Sequence, residues 1–360
     1  MNIFLITNHS FMLYKFRKEL IQQLLTAHHV TLVMPAREYT EAFRQMGCDI
    51  MDVDVDRRGI NPLTDYRLLR TYRTILKQHH PDMVLTYSIK PNIYAGMAAA
   101  KLHIPYCANI TGLGTAFQKP LLARFVTVLY RYAFRKVKTV FFENQSNLNE
   151  FLNRPILKKE KTCLLSGAGV NLQEFQCNEY PEGQTTNFIF VGRIMKEKGV
   201  DELLEAFRQL ENDHEQVHLD IVGPFEDDYE EEMKRLEHDP NCRYCGFQND
   251  VRPFLAKAHC LVLPSYHEGM ANTILEAAAC SRAVIASDIP GCREGIADQN
   301  SGYLVKKKDA NDLYEKMKQF AQRSHEEKRQ MGIEGRTLME QKFDKQRVVD
   351  QTVSAIERQE

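Results

Sequence analysis

The chain has 360 residues, 43% of them hydrophobic, which is enough for two domains with separate cores. It contains no run of about eighteen apolar residues, so the sequence offers no candidate membrane-spanning helix. The net charge of −1 conceals an uneven distribution, because residues 1–170 carry 23 Lys and Arg against 12 Asp and Glu, and the remainder carries the opposite excess. We therefore expect the first half to meet an anion, such as a phosphate, a nucleic acid or a membrane surface.

Cysteine usage and the first residues both favour a cytoplasmic protein. The nine cysteines are scattered and odd in number, which is typical of reduced thiols. Cys242 and Cys245 form a CxxC, but no second pair or histidine cluster accompanies them, so they are predicted to be plain thiols. The first residues, MNIFLITNHS, lack the basic region and cleavage site of a signal peptide and are predicted to form a strand.

In chain order, short apolar runs alternate with longer helical patterns. The first half has the strand patterns NIFLIT, VTLVM, MVLTY (83–87), PYCANI and TVFFE, with the first helix predicted near 15–27. After a polar break near 165–187 the alternation restarts with NFIFVG, VHLDIVG, CLVLPS and AVIAS, and helices are predicted from about 199 and 272. This order predicts an α/β protein with two Rossmann-like domains, each a parallel sheet covered by helices on both faces.

The break sets the predicted domain bounds. We expect one domain over 1–165 and a second over 166–342. The last residues, 343–360, are polar and helical, and they are predicted to form a helix that returns to the N-terminal domain. The expected active site is a cleft between the two domains.

Two glutamates, Glu268 and Glu276, stand eight positions apart across the start of a predicted helix. The buried strand CLVLPS precedes Glu268, and Asn272 is predicted to be the N-cap of the helix. Ligands bind beyond the carboxyl ends of parallel strands, and a helix N-terminus there favours an anion such as phosphate. Glu276 leans back toward that phosphate, where a ribose diol would lie. Solvated positions for both carboxylates are the alternative, which the apolar neighbours of Glu276 disfavour.

A second motif, GRIMKEKG, follows the strand that ends at Gly192. Arg193 and Lys198 place two cations in a glycine-hinged loop, which suits the neutralisation of a diphosphate. Taken alone, the motif is equally compatible with a solvated charged loop.

Together GRIMKEKG and EGMANTILE resemble the motifs of the retaining GT-B glycosyltransferases of family 4, whose hallmark is two glutamates separated by seven residues. Supporting segments, among them SGAGVNLQEF, DIVGPF and NSGYLV, extend the resemblance over most of residues 165–305. The first half, with TYSIKPNIYAG and NITGLGTAF, is similar to bacterial enzymes that extend lipid-linked oligosaccharides for glycans, capsules or O-antigens. The resemblance implies a GT-B fold, in which two Rossmann-like domains face each other across a cleft. It also implies that the domain over 1–165 binds the acceptor and that the domain over 166–342 binds the nucleotide-sugar.

By this resemblance Arg193 and Lys198 bind the donor diphosphate, Glu268 contacts the donor sugar, and Glu276 binds the ribose hydroxyls. The loop around Gly246 and Phe247 holds the base. Further implied donor contacts are Gly269, Met270, Ala271, Asn272 and Thr273. The resemblance also implies retention of configuration, catalytic roles for Glu268, Arg193 and Lys198, and no metal or cofactor beyond a nucleotide-sugar substrate, with UDP favoured.

The first half departs from the family pattern near the expected acceptor. Many relatives carry a histidine after the strand that corresponds to ANI, whereas this chain offers Asn109, Thr111 and Gly112. Asn8 and His9 follow the first strand, where relatives often carry a glycine pair. They are predicted either to contact donor or acceptor or to stabilise their loop.

A basic helical stretch at 119–140 lies within a span, 83–142, that contains no acidic residue. Its cations Arg124, Arg131, Arg135 and Lys138 are predicted to share one face, with Phe125, Val128, Leu129 and Tyr132 on other faces. Such a helix is typical of an anionic bilayer surface, although a core helix with a basic solvated face also fits. We expect a peripheral enzyme on the inner face of the cytoplasmic membrane, with Lys90 as the candidate for the phosphates of a polyprenyl-diphosphate acceptor.

The segment MDVDVDRR raises the alternative of a metal-dependent transferase, because a DxD at a strand end can hold a divalent cation. Strict alternation instead points Asp52, Asp54 and Asp56 to one face of a strand, and the two-domain pattern does not suit that class.

The sequence therefore predicts a retaining transferase that moves a hexose or N-acetylhexosamine from a nucleotide-sugar to a lipid-linked saccharide. The alternatives are a sugar-nucleotide epimerase of the same fold and a catalytically inactive glycan-binding relative. A nucleic-acid-binding protein is a third class, but the chain carries no recognised nucleic-acid motif.

Overall fold

The computed structural model describes residues 1–358 apart from 57, 58, 60, 114–116, 118, 119, 178 and 237. The chain divides into two compact units, Met1–Ala168 with Lys345–Glu360, and Gly169–Asp344. The sequence placed these divisions at 165/166 and 342/343.

The first unit is built on a seven-stranded sheet in which each described pairing is parallel. Its strands are β1 (Asn2–Ile6), β2 (His29–Met34), β3 (Asp49–Asp52), β4 (Met83–Tyr87), β5 (Tyr106–Ile110), β6 (Thr139–Phe142) and β7 (Thr162–Leu164). Their spatial order is β3-β2-β1-β4-β5-β6-β7. The order reverses beside β1, which is the position where doubly wound sheets bind ligands.

The second unit repeats this plan with six parallel strands. Its strands are β8 (Thr186–Val191), β9 (Val217–Val222), β10 (Cys242–Tyr244), β11 (Cys260–Leu263), β12 (Ala283–Ser287) and β13 (Gly302–Val305). The spatial order is β10-β9-β8-β11-β12-β13, so β8 and β11 are neighbours. Strands β11 and β12 are buried along their whole length, which explains why their sequences read as continuous apolar runs.

Helices connect the strands in both units. They are α1 (Ser10–Leu25), α2 (Thr40–Gln45), α3 (Pro62–His79), α4 (Ile89–Leu102), α5 (Pro120–Ala133), α6 (Gln145–Asn153), α7 (Val200–Asn212), α8 (Glu230–Leu236), α9 (Arg252–Lys257), α10 (Asn272–Ala279), α11 (Ala310–Ala321), α12 (His325–Lys342) and α13 (Lys345–Glu357). Within the described part of the chain, none of these helices combines the length and the apolar composition of a membrane span.

The core of the first unit lies on both faces of its sheet. Helices α3, α4 and α5 cover one face, and α1 and α13 cover the other. Val348 and Val349 of α13 are buried in the same cluster as Leu13 and Ile21 of α1. Lys138 strengthens this attachment, because its Nζ donates a hydrogen bond to the carbonyl of Ile356 at 3.0 Å. The C-terminal helix therefore belongs to the first unit.

Two sequence-based expectations about elements were wrong. The first helix begins at Ser10 rather than near 15, so its first turn contains the aromatic segment that follows β1. Strand β3 ends at Asp52, so Asp54 and Asp56 lie beyond it and do not share a strand face with Asp52.

Candidate functional site

The predicted donor-site residues of the second unit lie mainly in the loops that follow β8 and β11. Because these parallel strands are neighbours, their carboxyl ends share one edge of the sheet. Lys198 Nζ forms an ion pair with Glu268 Oε1, and both side chains are largely buried, at 17% and 11% exposed. Ser265 Oγ donates to the same carboxylate oxygen at 2.8 Å. The structure thus brings together two predicted site residues that are seventy positions apart.

Tyr266 fastens the two loops to each other. Its backbone N–H donates to the carbonyl of Glu197 at 2.8 Å, next to Lys198. Its hydroxyl donates to Glu202 Oε1 of α7 at 2.6 Å, and burial together with this bond raises the pKa of Tyr266. The loop that carries Glu268 is therefore held against the loop that carries Lys198 by both main chain and side chain.

Gly199 permits the close approach of these loops. Its φ is 73°, in the left-handed region that favours glycine, and a Cβ there would lie 2.1 Å from the carbonyl oxygen of Pro264. A glycine is therefore required directly after Lys198.

The start of α10 lies beside Glu268, and one expectation about it is corrected. Ala271 occupies the N-cap position, its backbone N–H donates to the carbonyl of Gly291 at 2.8 Å, and the helix begins at Asn272. Asn272 is therefore not the cap, because its own backbone is already helical. Its Oδ1 is buried without a hydrogen-bond partner among the described residues. An unsatisfied polar atom at a helix start is typical of a ligand site.

The remaining residues of this segment divide by burial. Met270 and Ala271 are buried in the core, so only their backbone is available to a ligand. Thr273 and Glu276 are partly exposed on α10, whereas the following alanines are buried. Glu276 sits one turn into the helix, at the distance from the N-terminus that the sequence predicted.

Arg193 stands five residues before Lys198, and its carboxylate partner is Glu226 rather than Glu268. Its Nη1 is 3.5 Å from Glu226 Oε1, and the side chain remains half-exposed. The loop of Gly246 is linked to this region, since the carbonyl of Gly246 accepts from the N–H of Gly223 at 2.9 Å. Gly223 in turn packs on Gly192, because a Cβ added at Gly223 would lie 1.7 Å from the carbonyl oxygen of Gly192. Phe247, beside Gly246, exposes half of its surface, as a ring available for stacking would.

The candidates of the first unit follow neighbouring strands. Asn8 and His9 follow β1, Lys90 lies two residues after Ser88 at the start of α4, and Thr111 and Gly112 follow β5. All five are partly exposed. Because β1, β4 and β5 are adjacent and parallel, these residues share one edge of the sheet.

Lys90 already has a carboxylate partner. Its Nζ is 2.8 Å from Asp65 Oδ1, and the hydroxyl of Tyr94 donates to the other oxygen of Asp65 at 2.8 Å. A phosphate at Lys90 would have to compete with this carboxylate. Asn109 is excluded as a ligand, because it is buried and donates to the carbonyl of Thr86.

The basic helix is α5, and its surface differs in part from the prediction. Arg124 and Arg131 are exposed, and Arg131 donates to the carbonyl of Arg154 at 2.7 Å. Lys138 does not share their face, because it follows the helix and contacts the C-terminal segment. The exposed apolar residues of α5 are Leu121, Phe125, Val128 and Tyr132, at 51 to 82% exposed. Leu129 is half-buried instead.

The aspartates after β3 make ordinary loop contacts. Asp52 accepts from the N–H of Ala36 at 2.9 Å, and Asp54 is 3.5 Å from Arg37. In the described residues, no three His, Cys, Asp or Glu side chains are grouped in a way that could hold a metal ion.

Sequence reasoning missed the residues that support Glu268. Ser265 and Tyr266 stand three and two residues before Glu268, and this closeness in sequence was the signal that could have identified them. The partner of Tyr266, Glu202, lies in a charged helix where nothing in the sequence distinguishes it from its neighbours.

Comparison with known proteins assigns the family. Residues 17–162 match the family described as "Glycosyl transferase 4-like domain", and residues 173–338 match "Glycosyl transferases group 1". The chain is a glycosyltransferase with one domain from each of these two families. Both units of the glycosyltransferase therefore carry family matches.

Three similar proteins illustrate this assignment. An N,N'-diacetylbacillosaminyl-diphospho-undecaprenol alpha-1,3-N-acetylgalactosaminyltransferase of Campylobacter jejuni subsp. jejuni is 29% identical over 325 residues, 85% of each chain. The capsular polysaccharide biosynthesis glycosyltransferase CapM of Staphylococcus aureus is 25% identical over 84% of this chain and 83% of its own. The crystal structure of Anabaena HepE in complex with UDP and glucose has a TM-score of 0.78 at 16% identity and covers 98% of both chains. This likeness confirms the expected α/β fold of two Rossmann-like units.

Proposed function

We propose that this glycosyltransferase transfers a sugar, with retention of configuration and without a metal ion, from a UDP-sugar to a saccharide carried on a polyprenyl diphosphate. The observation that carries the proposal is the ion pair of Lys198 and Glu268 beside the start of α10. It combines a cation for a diphosphate, a carboxylate for sugar hydroxyls and a helix N-terminus in one place. The relatives' names support the acceptor class, and the HepE complex supports UDP.

In this proposal the diphosphate of the donor lies between the cations and α10. Lys198 and Arg193 neutralise its charge, and the backbone amides of Asn272 and Thr273 donate to its oxygens. The partnerless Oδ1 of Asn272 turns toward a donor group of the ligand. The amide of Gly269 and the backbone of Met270 and Ala271 border the sugar.

Two carboxylates bind the hydroxyls on either side of the diphosphate. Glu268 accepts hydrogen bonds from the donor sugar, and Glu276 accepts them from the ribose. The base lies against Gly246 and Phe247, where the exposed ring offers a stacking surface.

The reaction proceeds by attack on the same face that the diphosphate leaves. The bond from the anomeric carbon to UDP breaks, and a new bond forms from that carbon to the acceptor hydroxyl oxygen. The acceptor proton passes to a phosphate oxygen of the departing UDP. Lys198, Arg193 and the helix N-terminus stabilise the negative charge that develops there, which is the role a divalent cation fills in other transferases.

The first unit binds the acceptor. Asn8, His9, Thr111 and Gly112 are proposed to contact its saccharide, and Lys90 its phosphates after exchange from Asp65. The exposed apolar residues of α5, flanked by Arg124 and Arg131, are proposed to contact an anionic membrane surface. The enzyme would then act as a peripheral protein at the cytoplasmic face of a bacterial membrane, in capsule, O-antigen or related glycan synthesis.

The test is a transfer reaction with a UDP-sugar and a synthetic polyprenyl-diphosphate saccharide in excess EDTA. We expect undiminished turnover, and an α-linked product by NMR from an α-linked donor. Loss of turnover that Mg²⁺ restores would contradict the metal-independent part, and a β-linked product would contradict retention.

A further inference from the structure

Helix α3 lies outside the acid-free span 83–142, and it presents a row of exposed cations of its own. Arg70, Arg73 and Lys77 form this row, and Tyr66 stands four residues before Arg70, so the four side chains lie within an arc of about 60°. The opposite face packs into the core through Leu68, Tyr72 and Leu76. The helix is therefore amphipathic, with cations on the side that faces away from the sheet.

The row is not neutralised by nearby acids. The three cations of the row, Arg70, Arg73 and Lys77, and the neighbouring Arg67 are exposed, and none of the four has an ion-pair partner in the described part of the chain. The one acidic residue of α3, Asp65, is already bound to Lys90 and Tyr94. Surface helices usually intersperse both signs of charge, so four cations without a facing carboxylate indicate an anionic partner.

Exposed apolar residues stand at the start of the same helix. Leu63 is 70% exposed and Tyr66 is 60% exposed. Large apolar side chains beside a row of cations are typical of surfaces that meet lipid headgroups, because the rings and aliphatic chains reach the acyl boundary.

Helix α5 extends this surface. Both α3 and α5 pack against α4, and all three helices cover the same face of the first sheet. The exposed row of α5, Leu121, Phe125, Val128 and Tyr132, lies within an arc of about 60° and points away from that sheet as well. Two outward rows, one basic and one apolar, therefore belong to one side of the first unit.

We propose that the basic row of α3 binds the phosphates of anionic lipid headgroups, so that α3 and α5 together form the membrane-contact surface. This inference rests on the proposed function, which assigns a membrane only to α5. Phosphate groups also occur in the diphosphate of the acceptor, but the row extends over the exposed face of an 18-residue helix, which suits an extended surface better than one ligand.

The test compares the binding of the full-length protein to lipid vesicles before and after neutralisation of the row. The variant is Arg70→Gln/Arg73→Gln, which keeps helix propensity because arginine and glutamine are both good helix formers. The matched control is Lys158→Gln/Lys159→Gln, which changes two exposed cations next to β7. Strand β7 is one edge of the sheet, and β3, the strand that precedes α3, is the other edge. Vesicles contain phosphatidylcholine alone or with about one third phosphatidylglycerol, an anionic lipid whose surface potential attracts Lys and Arg.

We expect wild type to bind the anionic vesicles, and Arg70→Gln/Arg73→Gln to bind them about 25-fold more weakly, about fivefold for each cation removed. The control variant should bind like wild type. The affinity of Arg70→Gln/Arg73→Gln should depend less steeply on salt than the affinity of wild type does. Equal binding of variant and wild type, or no wild-type preference for anionic vesicles, would overturn the inference.

Two further measurements separate this inference from the proposed function and from a competing source of phosphate. Turnover with a short-chain, water-soluble acceptor should be unchanged in Arg70→Gln/Arg73→Gln, and its loss would assign the row to the acceptor instead. Inorganic pyrophosphate at millimolar concentration should leave vesicle binding unchanged, and strong competition would also contradict a headgroup surface. If wild type fails to transfer sugar to either acceptor, the proposed function is wrong whatever the vesicles show.

Discussion

Glu268 already has a cation and a hydroxyl as partners in the structure. Lys198 and Ser265 both contact Oε1, so one carboxylate oxygen is held while the rest of the group remains for a sugar hydroxyl. In the proposed donor complex a diphosphate would share Lys198 with Glu268, so that the carboxylate proposed to bind the sugar and the cation proposed to bind the phosphate stay at a fixed separation. Such preorganisation is the main source of electrostatic catalysis.

Lys198 is expected to act chiefly on the departing diphosphate. Replacing it in Lys198→Ala should lower kcat about 100- to 1,000-fold, which is the usual effect of removing one charge-stabilising donor. Lys196→Ala is the matched control, because that exposed side chain is two residues away and its nearest carboxylate is Asp201 at 3.8 Å. Steady-state rates with a UDP-sugar check both variants, and similar kcat values for the two would contradict the assignment.

The residues of the proposed donor site differ in how far the sequence could predict them. The spacing of Glu268 and Glu276 and the loop cations are local signals, so they were available from the motif. The pairing of Lys198 with Glu268 required two strands to be neighbours, and the bond from Tyr266 to Glu202 required a helix position that no pattern marks. Asn272 was mispredicted as the cap because the backbone of Ala271 is set by a contact to Gly291, distant in sequence.

At the scale of elements, the loops after β8 and β11 are held together by direct contacts. Gly199 makes this possible, since any side chain there would meet the carbonyl of Pro264. The loops after β8 and β9 show the same dependence on Gly223.

The variant Gly199→Ala should therefore lower the free energy of unfolding by about 3 kcal/mol or more, through backbone strain and the clash with Pro264. Gly246→Ala is the matched control: its φ is 66°, similar to that of Gly199, but nothing lies within 4 Å of the added Cβ. That variant should lose only about 1 kcal/mol, the cost of the left-handed backbone. Urea unfolding distinguishes the two, and equal losses would show that the contact with Pro264 is unimportant.

Element types were easier to predict than element ends. The alternation of apolar runs and helical patterns identified the parallel sheets because buried strands leave a strong signal. The start of α1 was placed five residues late because the residue at its N-cap position is His9, which is not a preferred capping residue and makes no side-chain capping bond. Strand β3 was read as extending through Asp56 because its alternation continues after the pairing with β2 ends at Asp52.

At the scale of the whole molecule, the two units differ in charge as the sequence indicated, and the second unit buries cations in its core. Arg282 is fully buried and donates to the carbonyls of Leu255 and Ala256 at 2.9 Å. Lys328 is buried nearby and donates to Thr186 Oγ1 at 2.7 Å. These groups make the interior unfavourable for any further positive charge.

His259 is buried in this environment, and its hydrogen bonds require the neutral ring. Nδ1 accepts from the N–H of Asn187 at 3.0 Å, and Nε2 donates to the carbonyl of Pro181 at 3.2 Å. Burial, with Lys328, Arg282 and His325 as positive neighbours, lowers the pKa of His259 to about 4. The folded state thus resists a proton that the unfolded chain accepts near pH 6.5.

Stability from His259 is therefore present above pH 6.5 and is lost as the pH falls toward 4. Between pH 6.5 and pH 5 this histidine should cost about 2 kcal/mol of unfolding free energy. In His259→Gln the decline over that range should be shallower, whereas His238→Gln, at an exposed position of the same unit, should decline like wild type. Urea titrations at a series of pH values measure the slopes, and a wild-type slope in His259→Gln would refute this origin.

The central claim, that the loops after β8 and β11 and the start of α10 bind the nucleotide of the donor, is tested most directly by calorimetric titration in EDTA. UDP, GDP and ADP are titrated into wild type, Glu276→Ala and Glu205→Ala, the last a matched exposed glutamate on α7. We predict that wild type binds UDP in preference to GDP and ADP. The affinity for UDP should be about 10- to 100-fold weaker in Glu276→Ala, because charged hydrogen bonds to the ribose are lost, and it should be unchanged in Glu205→Ala. Equal UDP affinity in wild type and Glu276→Ala, or no binding of any nucleotide without metal, would contradict the account.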